Sequence, residues 1–284
     1  MPRGLAFCRT MLPAMADADE VAVVEFGPIC AHAVSMAEAI DLIARQAASG
    51  EGGFVLTPNL DHIAIARRNP EMAAAYRRAF LCLADGAPLV AVSRVLGLPV
   101  REKVSGSDLF APLMARCARD RLPVFFLGAT VEACEAASRR LREENPGIEV
   151  AGHDSALFDL DAEPGRVVAA LRRAREAGAR LIVVCLPPLK QLLLSRFVDE
   201  YRPAIGVGAG SSLSFYVAHV RRAPAWMSGL GFEWLYRLVQ EPRRLWRRYL
   251  VEDVAALPVL VRMAVDRLRG RPLVRTMRQT RARD

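Results

Sequence analysis

The chain of 284 residues contains no C-x-x-C pair, and its six cysteines (Cys8, Cys30, Cys82, Cys117, Cys134, Cys185) stand far apart, most of them inside apolar runs. Such spacing excludes a zinc ribbon or a clustered disulfide framework and fits reduced core thiols in a reducing compartment. The four histidines form no ligand cluster either. Cys30-Ala31-His32 is their one close approach to another ligand type, and no metal site is expected there. No uninterrupted apolar run reaches the roughly 18 residues of a bilayer span. The strongest candidate, Val254 to Val265, is short and carries Pro258 and Arg262. Low-complexity tracts and internal repeats are absent too, which argues against a solenoid. The opening MPRGLAFCRTMLPAMADADE is a poor signal peptide, because Arg9 interrupts it and Asp17 to Glu20 follow; residues 1–20 read as a flexible extension.

Missing signatures narrow the chemistry. No G-x-S-x-G elbow and no P-loop occur. Gly206-x-Gly208-x-Gly210 lacks the G-x-G-x-x-G spacing and comes late in the chain, which weakens a dinucleotide fingerprint. Asp159-Leu160-Asp161 resembles a D-x-D metal motif but reads as a solvated turn before a helix at Pro164.

What is present is an ordered globular composition, 52% hydrophobic and 25% charged, on a chain long enough for a large core. The net charge of +8 owes much to arginines after Arg221. That asymmetry points to an anionic partner: nucleic acid, a phosphorylated ligand or an anionic lipid surface.

The clearest order begins at Pro123. PVFFLG reads as a buried strand with a tight exit at Gly128, VEACEAASRRLREE as an amphipathic helix, and GIEVAG as a further strand. A helix over 166–177, the apolar strand Leu181 to Leu186, a helix over 189–200 and the strand Ala204 to Gly208 follow. Earlier, VAVVEF and Phe54-Val55-Leu56 read as strands, and helices are expected over AEAIDLIARQAA, from Asp61 to Arg68 and from Pro70. In that last helix Met72, Ala75, Tyr76 and Ala79 form the apolar stripe. Strand and helix alternating at this spacing imply an α/β fold, a Rossmann-like parallel-sheet core over 21–225.

The stretch from Phe54 to Asp108 holds the candidate chemistry. Thr57-Pro58-Asn59 follows one apolar run and Asp85-Gly86 follows another, as polar loops do at the strand ends of α/β enzymes. The plainer reading makes Asn59 and Asp61 helix caps and Asp85-Gly86 a turn. Ser107 or Asp108 is placed to cap the helix LFAPLMARCARD, whose start also suits phosphate. The glycines around Gly208 let backbone approach a ligand phosphate.

From residue 226 to 284 the character changes to an amphipathic, basic and aromatic appendage. At helical spacing Leu235, Leu238, Val239, Leu245, Trp246 and Tyr249 fall on one stripe, with Arg237, Arg244 and Arg248 opposite. Pro242 suits the first turn of a second helix. A core-facing stripe with a solvated basic face is the ordinary explanation; an interfacial helix on anionic lipid accounts for the apolar, aromatic and basic residues together.

Taken in order, several segments resemble the bacterial WecG/TagA/CpsF glycosyltransferase family. They are T-P-N-x-x-H at Thr57 to His62, A-D-G at Ala84 to Gly86, V-x-G-S-D at Val104 to Asp108, Gly206-Val207-Gly208, R-A-P at Arg222 to Pro224, and G-x-E-W-L-Y-R-L…E-P-x-R-x-x-R-R-Y from Gly231 to Tyr249. The likeness covers roughly residues 21 to 250. It implies an inverting, metal-independent transferase without cofactor, moving a sugar of N-acetylmannosamine type, its uronic acid or a glucose type. The implied donor is a UDP-sugar and the implied acceptor a polyprenyl-diphosphate-linked sugar, at the inner face of the cytoplasmic membrane, for cell-surface polysaccharide. Asp85 matches the family's proposed base, and an inverting transfer needs one such carboxylate. Thr57 and Asn59 would hold hydroxyls. Gly86, Ser107, Asp108, Gly128, Lys190, Gln191 and Gly208 would border the substrates. Arg237, Arg244 and Arg247 match the family's C-terminal arginines, and guanidinium suits diphosphate. An anionic membrane surface and a homo-oligomer are implied partners; nucleic acid is not.

The sequence departs from the pattern at Leu192, where many members carry glutamate after Lys190-Gln191. It departs again at Ser214 and His219, where many carry aspartate and glycine. A nicotinamide-dependent oxidoreductase on the same fold, a catalytically degenerate member that only binds, and a nucleic-acid-docking protein remain the alternatives, since fold alone does not fix function.

Overall fold

The two ends of the described chain meet in one small sheet. The computed structural model describes residues 20–155, 161–186, 190–210, 212–217, 227, 233–240, 246 and 253–278. Strand β1 (Glu20–Phe26) turns through Gly27-Pro28 into β2 (Ile29–His32), and β9 (Val274–Arg278) pairs with the other edge of β1, antiparallel throughout. VAVVEF is thus a strand, but it does not enter the parallel sheet. Two turn residues return a chain as a hairpin, whereas a parallel neighbour needs a crossover of a dozen or more.

Six further strands form a parallel sheet in the order β4-β3-β8-β7-β5-β6. They are β3 (Gly53–Leu56), β4 (Leu81–Cys82), β5 (Val124–Leu127), β6 (Val150–Asp154), β7 (Leu181–Val184) and β8 (Ile205–Gly208). All pairings within it are parallel. This is the Rossmann-like α/β core that the alternating pattern implies.

Apart from the edge strand β6, which is only partly buried, its strands are apolar on both faces because both are covered. Phe54, Leu56, Phe125, Leu127, Ile182 and Val184 face one core. That core is completed by α2 (Leu60–Ala66), α3 (Pro70–Arg78), α4 (Ala87–Val95), α7 (Pro164–Glu176) and α8 (Lys190–Arg196). Val55, Val124, Phe126, Val183 and Val207 face the other, beneath α1 (Met36–Ser49), α5 (Gly106–Asp120), α6 (Val131–Glu144) and α10 (Ser212–Tyr216). Each large side chain so buried contributes about 1.5–3 kcal/mol. The helix expected over 189–200 is interrupted at Phe197, and α9 (Val198–Tyr201) follows.

Helix starts are set by capping. Ser35 and Glu38 close a reciprocal box on α1, Asn59 caps α2, Asn69 caps α3 ahead of Pro70, and Thr130 caps α6. Each such cap contributes about 1 kcal/mol.

The C-terminal stretch folds back on this body. A 3₁₀ turn (Asp253–Ala256) lies against α2, where Arg67 Nη1 donates to Ala255 O at 2.9 Å. Helix α12 (Leu257–Leu268) then seats Val259 over the hairpin turn: a Cβ on Gly27, at φ +67°, would come within 2.6 Å of Val259 Cγ1. Part of the 226–284 stretch therefore packs with β1. Helix α11 (Glu233–Gln240) precedes it. Residues 1–19 lie outside the described residues, and no helix among the described ones is long and apolar enough to cross a membrane.

Candidate active site

Strands β4, β3 and β8 are neighbours and parallel, so their C-terminal ends share one edge of the sheet. Past β3 comes Thr57-Pro58-Asn59, past β4 comes Asp85, and past β8 comes the glycine loop. Ladder-like bonds continue beyond the strands: Leu83 N–H donates to Leu56 O at 2.8 Å and Asp85 N–H to Pro58 O at 2.8 Å. Val104 N–H donates to Ala84 O at 2.9 Å, which ties the next loop in. The Asp85 carboxylate thus starts from a backbone held on both sides. Gly86 at φ +118° turns the chain into α4.

Thr57 is buried and its Oγ1 donates a long bond, 3.4 Å, to Gly208 O. Asn59 Oδ1 accepts the His62 N–H at 3.1 Å, so the cap reading is correct for its oxygen, while its amide nitrogen is not used by that bond.

The glycine loop is glycine-rich for a packing reason. The Lys190 side chain lies along it, and a Cβ would fall 3.2 Å from Lys190 Cε at Gly208 and 2.9 Å from Lys190 Nζ at Gly210. An ammonium is thereby brought to the end of β8. The first turn of α5 closes on the same loop, with the Gly106 Cβ position 3.4 Å from Ala209 Cα. Ser105 caps that helix, not Ser107 or Asp108: its extended backbone lets its Oγ accept the Asp108 N–H at 3.2 Å. Asp108 in turn binds Ser105 Oγ at 2.6 Å and Lys103 Nζ at 3.1 Å, and Ser107 Oγ lies 3.2 Å from Ser105 Oγ.

His62 is the functional candidate that residue-by-residue reading passed over, although it stands inside the T-P-N-x-x-H segment. Its buried ring lies 2.7 Å from Tyr76 Oη through Nδ1 and 3.0 Å from Gln191 Nε2 through Nε2. Burial raises the Tyr76 phenol well above its usual pKa. The bond to Gln191 spans 129 residues, which no local spacing signals.

Other expected positions are placed differently. Gly128, at φ +83°, ends β5, two strands away from β8, and the space of its missing Cβ is filled by Leu186. Leu192 is buried in the core, which accounts for an apolar residue there, and Ser214 lies on α10. Arg237 falls on α11, while Arg244, Arg247, His219, Arg222–Pro224 and Asp159 lie outside the described residues. Asp161 pairs with Arg196 at 2.6 Å.

Cys30, His32 and Cys82 meet beneath this edge. The two sulfurs are 3.8 Å apart, and His32 Nδ1 accepts the Cys82 N–H at 2.9 Å. Burial pulls the His32 pKa down to about 4, as for a neutral core imidazole. Among the described residues no three His, Cys, Asp or Glu side chains are grouped to hold a metal ion. The described cysteines are all buried and free.

A carboxylate, a threonine, a lysine and a buried amide at one sheet edge suit group transfer to a hydroxyl. Two comparisons bear on which transfer. The family model for "Glycosyl transferase WecG/TagA/CpsF family" matches residues 24–270. The chain is also 30% identical over 201 residues to the N-acetylglucosaminyldiphosphoundecaprenol N-acetyl-beta-D-mannosaminyltransferase of Bacillus spizizenii, covering 70% of this chain and 76% of that protein. With the match running from β1 into the turn after α12, the chain belongs to the WecG/TagA/CpsF family of glycosyltransferases.

Proposed function

We propose that this glycosyltransferase moves an N-acetylmannosamine-type sugar from its UDP donor to a lipid-diphosphate-linked sugar, with inversion and without a metal ion. The observation that carries this reading is the junction of Asp85 with the 57–59 loop through the Asp85 N–H···Pro58 O bond, beside Gly208 and Lys190. In the proposed step the acceptor hydroxyl oxygen attacks the donor's anomeric carbon, the carbon–oxygen bond to the diphosphate breaks, and UDP leaves with the electron pair. The hydroxyl proton passes to Asp85. Thr57 and the Asn59 amide orient sugar hydroxyls, and Lys190 with Arg237, Arg244 and Arg247 offsets charge on the departing diphosphate. The acceptor class follows from the relative's name, which specifies an N-acetylglucosaminyl-diphospho-lipid.

A lipid-linked acceptor requires approach to a bilayer, and the surface supports one. Among the described residues, the exposed large hydrophobics are Val95, Val131 and then Leu235, Val239, Trp246, Val254, Leu257, Val261, Val265 and Leu268. All but two thus belong to the arginine-rich C-terminal stretch. We place the anionic inner leaflet against it, with self-association through the same surface as the competing occupant.

The test is UDP release from UDP-N-acetylmannosamine and other UDP-sugars, using a lipid-linked N-acetylglucosaminyl diphosphate as acceptor. Turnover that survives EDTA is expected. No turnover with any donor would sink the proposal, and loss with EDTA would remove its metal-free part.

A further inference from the structure

Two thiols face each other where the small sheet covers the edge of the parallel one. Cys30 on β2 and Cys82 on β4 hold their sulfurs 3.8 Å apart, and the same sulfurs lie 3.6 Å and 3.7 Å from Tyr76 O. Both thiols are free, but they are not equivalent. Cys82 is fully buried, whereas Cys30 keeps 4% of its surface. Cys30 also pairs across the hairpin with Glu25, and Glu25 holds Arg275 of β9 at 3.2 Å, which brings a guanidinium charge to bear on the Cys30 sulfur. The contact with Cys82 and then that charge hold the Cys30 thiol below its usual pKa, against the effect of burial. Burial pushes the Cys82 thiol well above it. One sulfur is thus the better thiolate and the other keeps its proton, the asymmetry that a nucleophilic and a resolving cysteine need. Burial pushes the thiols of Cys117, Cys134 and Cys185 up to about 12, 11 and 12.

What β4 carries makes the pair consequential. The strand is two residues long and pairs with β3 through Leu81 and Cys82, and Asp85 follows three residues later. Strand β2 is four residues long and is held along its length by β1. Drawing the sulfurs together therefore displaces β4 more than β2. The next bonds along the chain are Leu83 N–H to Leu56 O and Asp85 N–H to Pro58 O, which set the Asp85 backbone.

We propose that Cys30 and Cys82 form a reversible disulfide when a hydroperoxide reaches Cys30, and that this bond draws β4 aside and slows the reaction at Asp85. The Cys30 thiolate attacks one peroxide oxygen, the O–O bond breaks, and hydroxide leaves and takes up a proton to become water. Cys30 is then a sulfenic acid. The Cys82 sulfur attacks the Cys30 sulfur, and the hydroxyl departs with the Cys82 proton as a second water. Two thiols and one hydrogen peroxide become one disulfide and two waters, with two electrons passing from sulfur to oxygen. A dithiol restores the pair by exchange. The slowing of turnover rests on the transferase reading above; the bond and the displacement of β4 do not.

The test treats the full chain, carrying Cys8→Ser so that Cys8 cannot compete, with hydrogen peroxide. Peptide mass spectrometry should find Cys30 joined to Cys82, and dithiothreitol should release them. Hydrogen exchange at the Leu83 and Asp85 amides should quicken in the oxidised protein. UDP release should fall by about tenfold or more, the size expected for a misplaced reacting group, and recover with dithiothreitol. Cys30→Ala and, separately, Cys82→Ala should turn over as the untreated protein does and resist peroxide. Oxidation of Cys30 to sulfinic acid without a bond to Cys82 would overturn the proposal. So would equal peroxide inhibition in Cys30→Ala, or a disulfide that changes neither exchange nor turnover. Absence of turnover before oxidation would count against the transferase reading alone, with the linked peptide and the amide exchange still deciding the redox pair.

Discussion

Valine and leucine serve opposite ends in the parallel sheet and in the C-terminal stretch. In β7, Leu181 and Val184 are fully buried, whereas on α12 Val261 and Leu268 are 62% and 88% exposed. The difference lies in what surrounds each element. A central parallel strand has a strand on either side and helices on both faces, so every side chain is covered. Helix α12 touches the body along one stripe, with Val259 over the hairpin turn and Met263 buried. Leu257, Val261, Val265 and Leu268 recur at helical spacing on the stripe left outside. Burial in the sheet makes strand ends that hold Asp85 and Thr57 still; the uncovered stripe leaves a surface that another phase can cover.

The contrast can be attacked at both ends. The largest effect is expected at the sheet edge. Asp85→Asn should lower kcat by roughly 10²- to 10⁴-fold while leaving the melting point within a few degrees, as judged by UDP release and thermal unfolding. Wild-type turnover in that variant would remove Asp85 from the chemistry.

Next comes the contact between the parallel sheet and the small antiparallel sheet on which the C-terminal strand pairs, where His32 of β2 accepts the N–H of Cys82 in β4. Its folded pKa of about 4 lies below the ordinary 6.5. As pH falls below 6.5 the unfolded chain takes up the proton first. Stability is therefore full above about 6.5 and declines toward pH 4, by at most about 3 kcal/mol from this group. Urea midpoints across that range should show the decline, and His32→Gln, which keeps an acceptor for Cys82, should flatten it. Equal slopes in both proteins would assign the acid sensitivity elsewhere.

The apolar stripe is tested by Val261→Glu combined with Leu268→Glu. Flotation with anionic vesicles should weaken by tenfold or more, with turnover of a water-soluble acceptor unchanged. Undiminished flotation would move the docking surface off α12, and loss of self-association in place of flotation would identify a second copy as the occupant.

The smallest effect contrasts two glycines. At Gly206 a Cβ would lie 2.2 Å from Leu194 Cδ2 and 3.1 Å from Tyr201 Oη, so Gly206→Ala should cost roughly 1–3 kcal/mol in denaturant unfolding. At Gly165 nothing lies within 4 Å, and alanine there should change stability by less than about 1 kcal/mol. Similar losses at both would mean that the sheet does not pack as described.

The elements and their type were legible because their periods are local. VFFL and LIVV are continuous apolar runs, and VEACEAASRRLREE carries a clean 3.6-residue stripe that the structure renders as α6 without a shift. Thr57 and Asp85 were legible as polar residues after apolar runs. Less visible were β2, only four residues long, and β9, whose V-R-T-M-R alternation sits in an arginine-rich tail. Ser105 was passed over as a cap because Ser107 and Asp108 are equally good capping types; only the backbone angles separate them.

Chain order and residue type by themselves determined the parallel α/β core, the polar strand ends at Thr57 and Asp85, and the concentration of arginine and aromatic residues toward the C-terminus. Those are short-range properties: side-chain period, strand length and the chemistry of turns. Tertiary structure alone decided that the last strand pairs with the first, that Lys190 lies on the glycine loop, that His62 meets Gln191 across 129 residues, and that the α12 stripe faces outward. Each of these depends on which surfaces remain after the sheet has assembled, and no window of sequence contains that information.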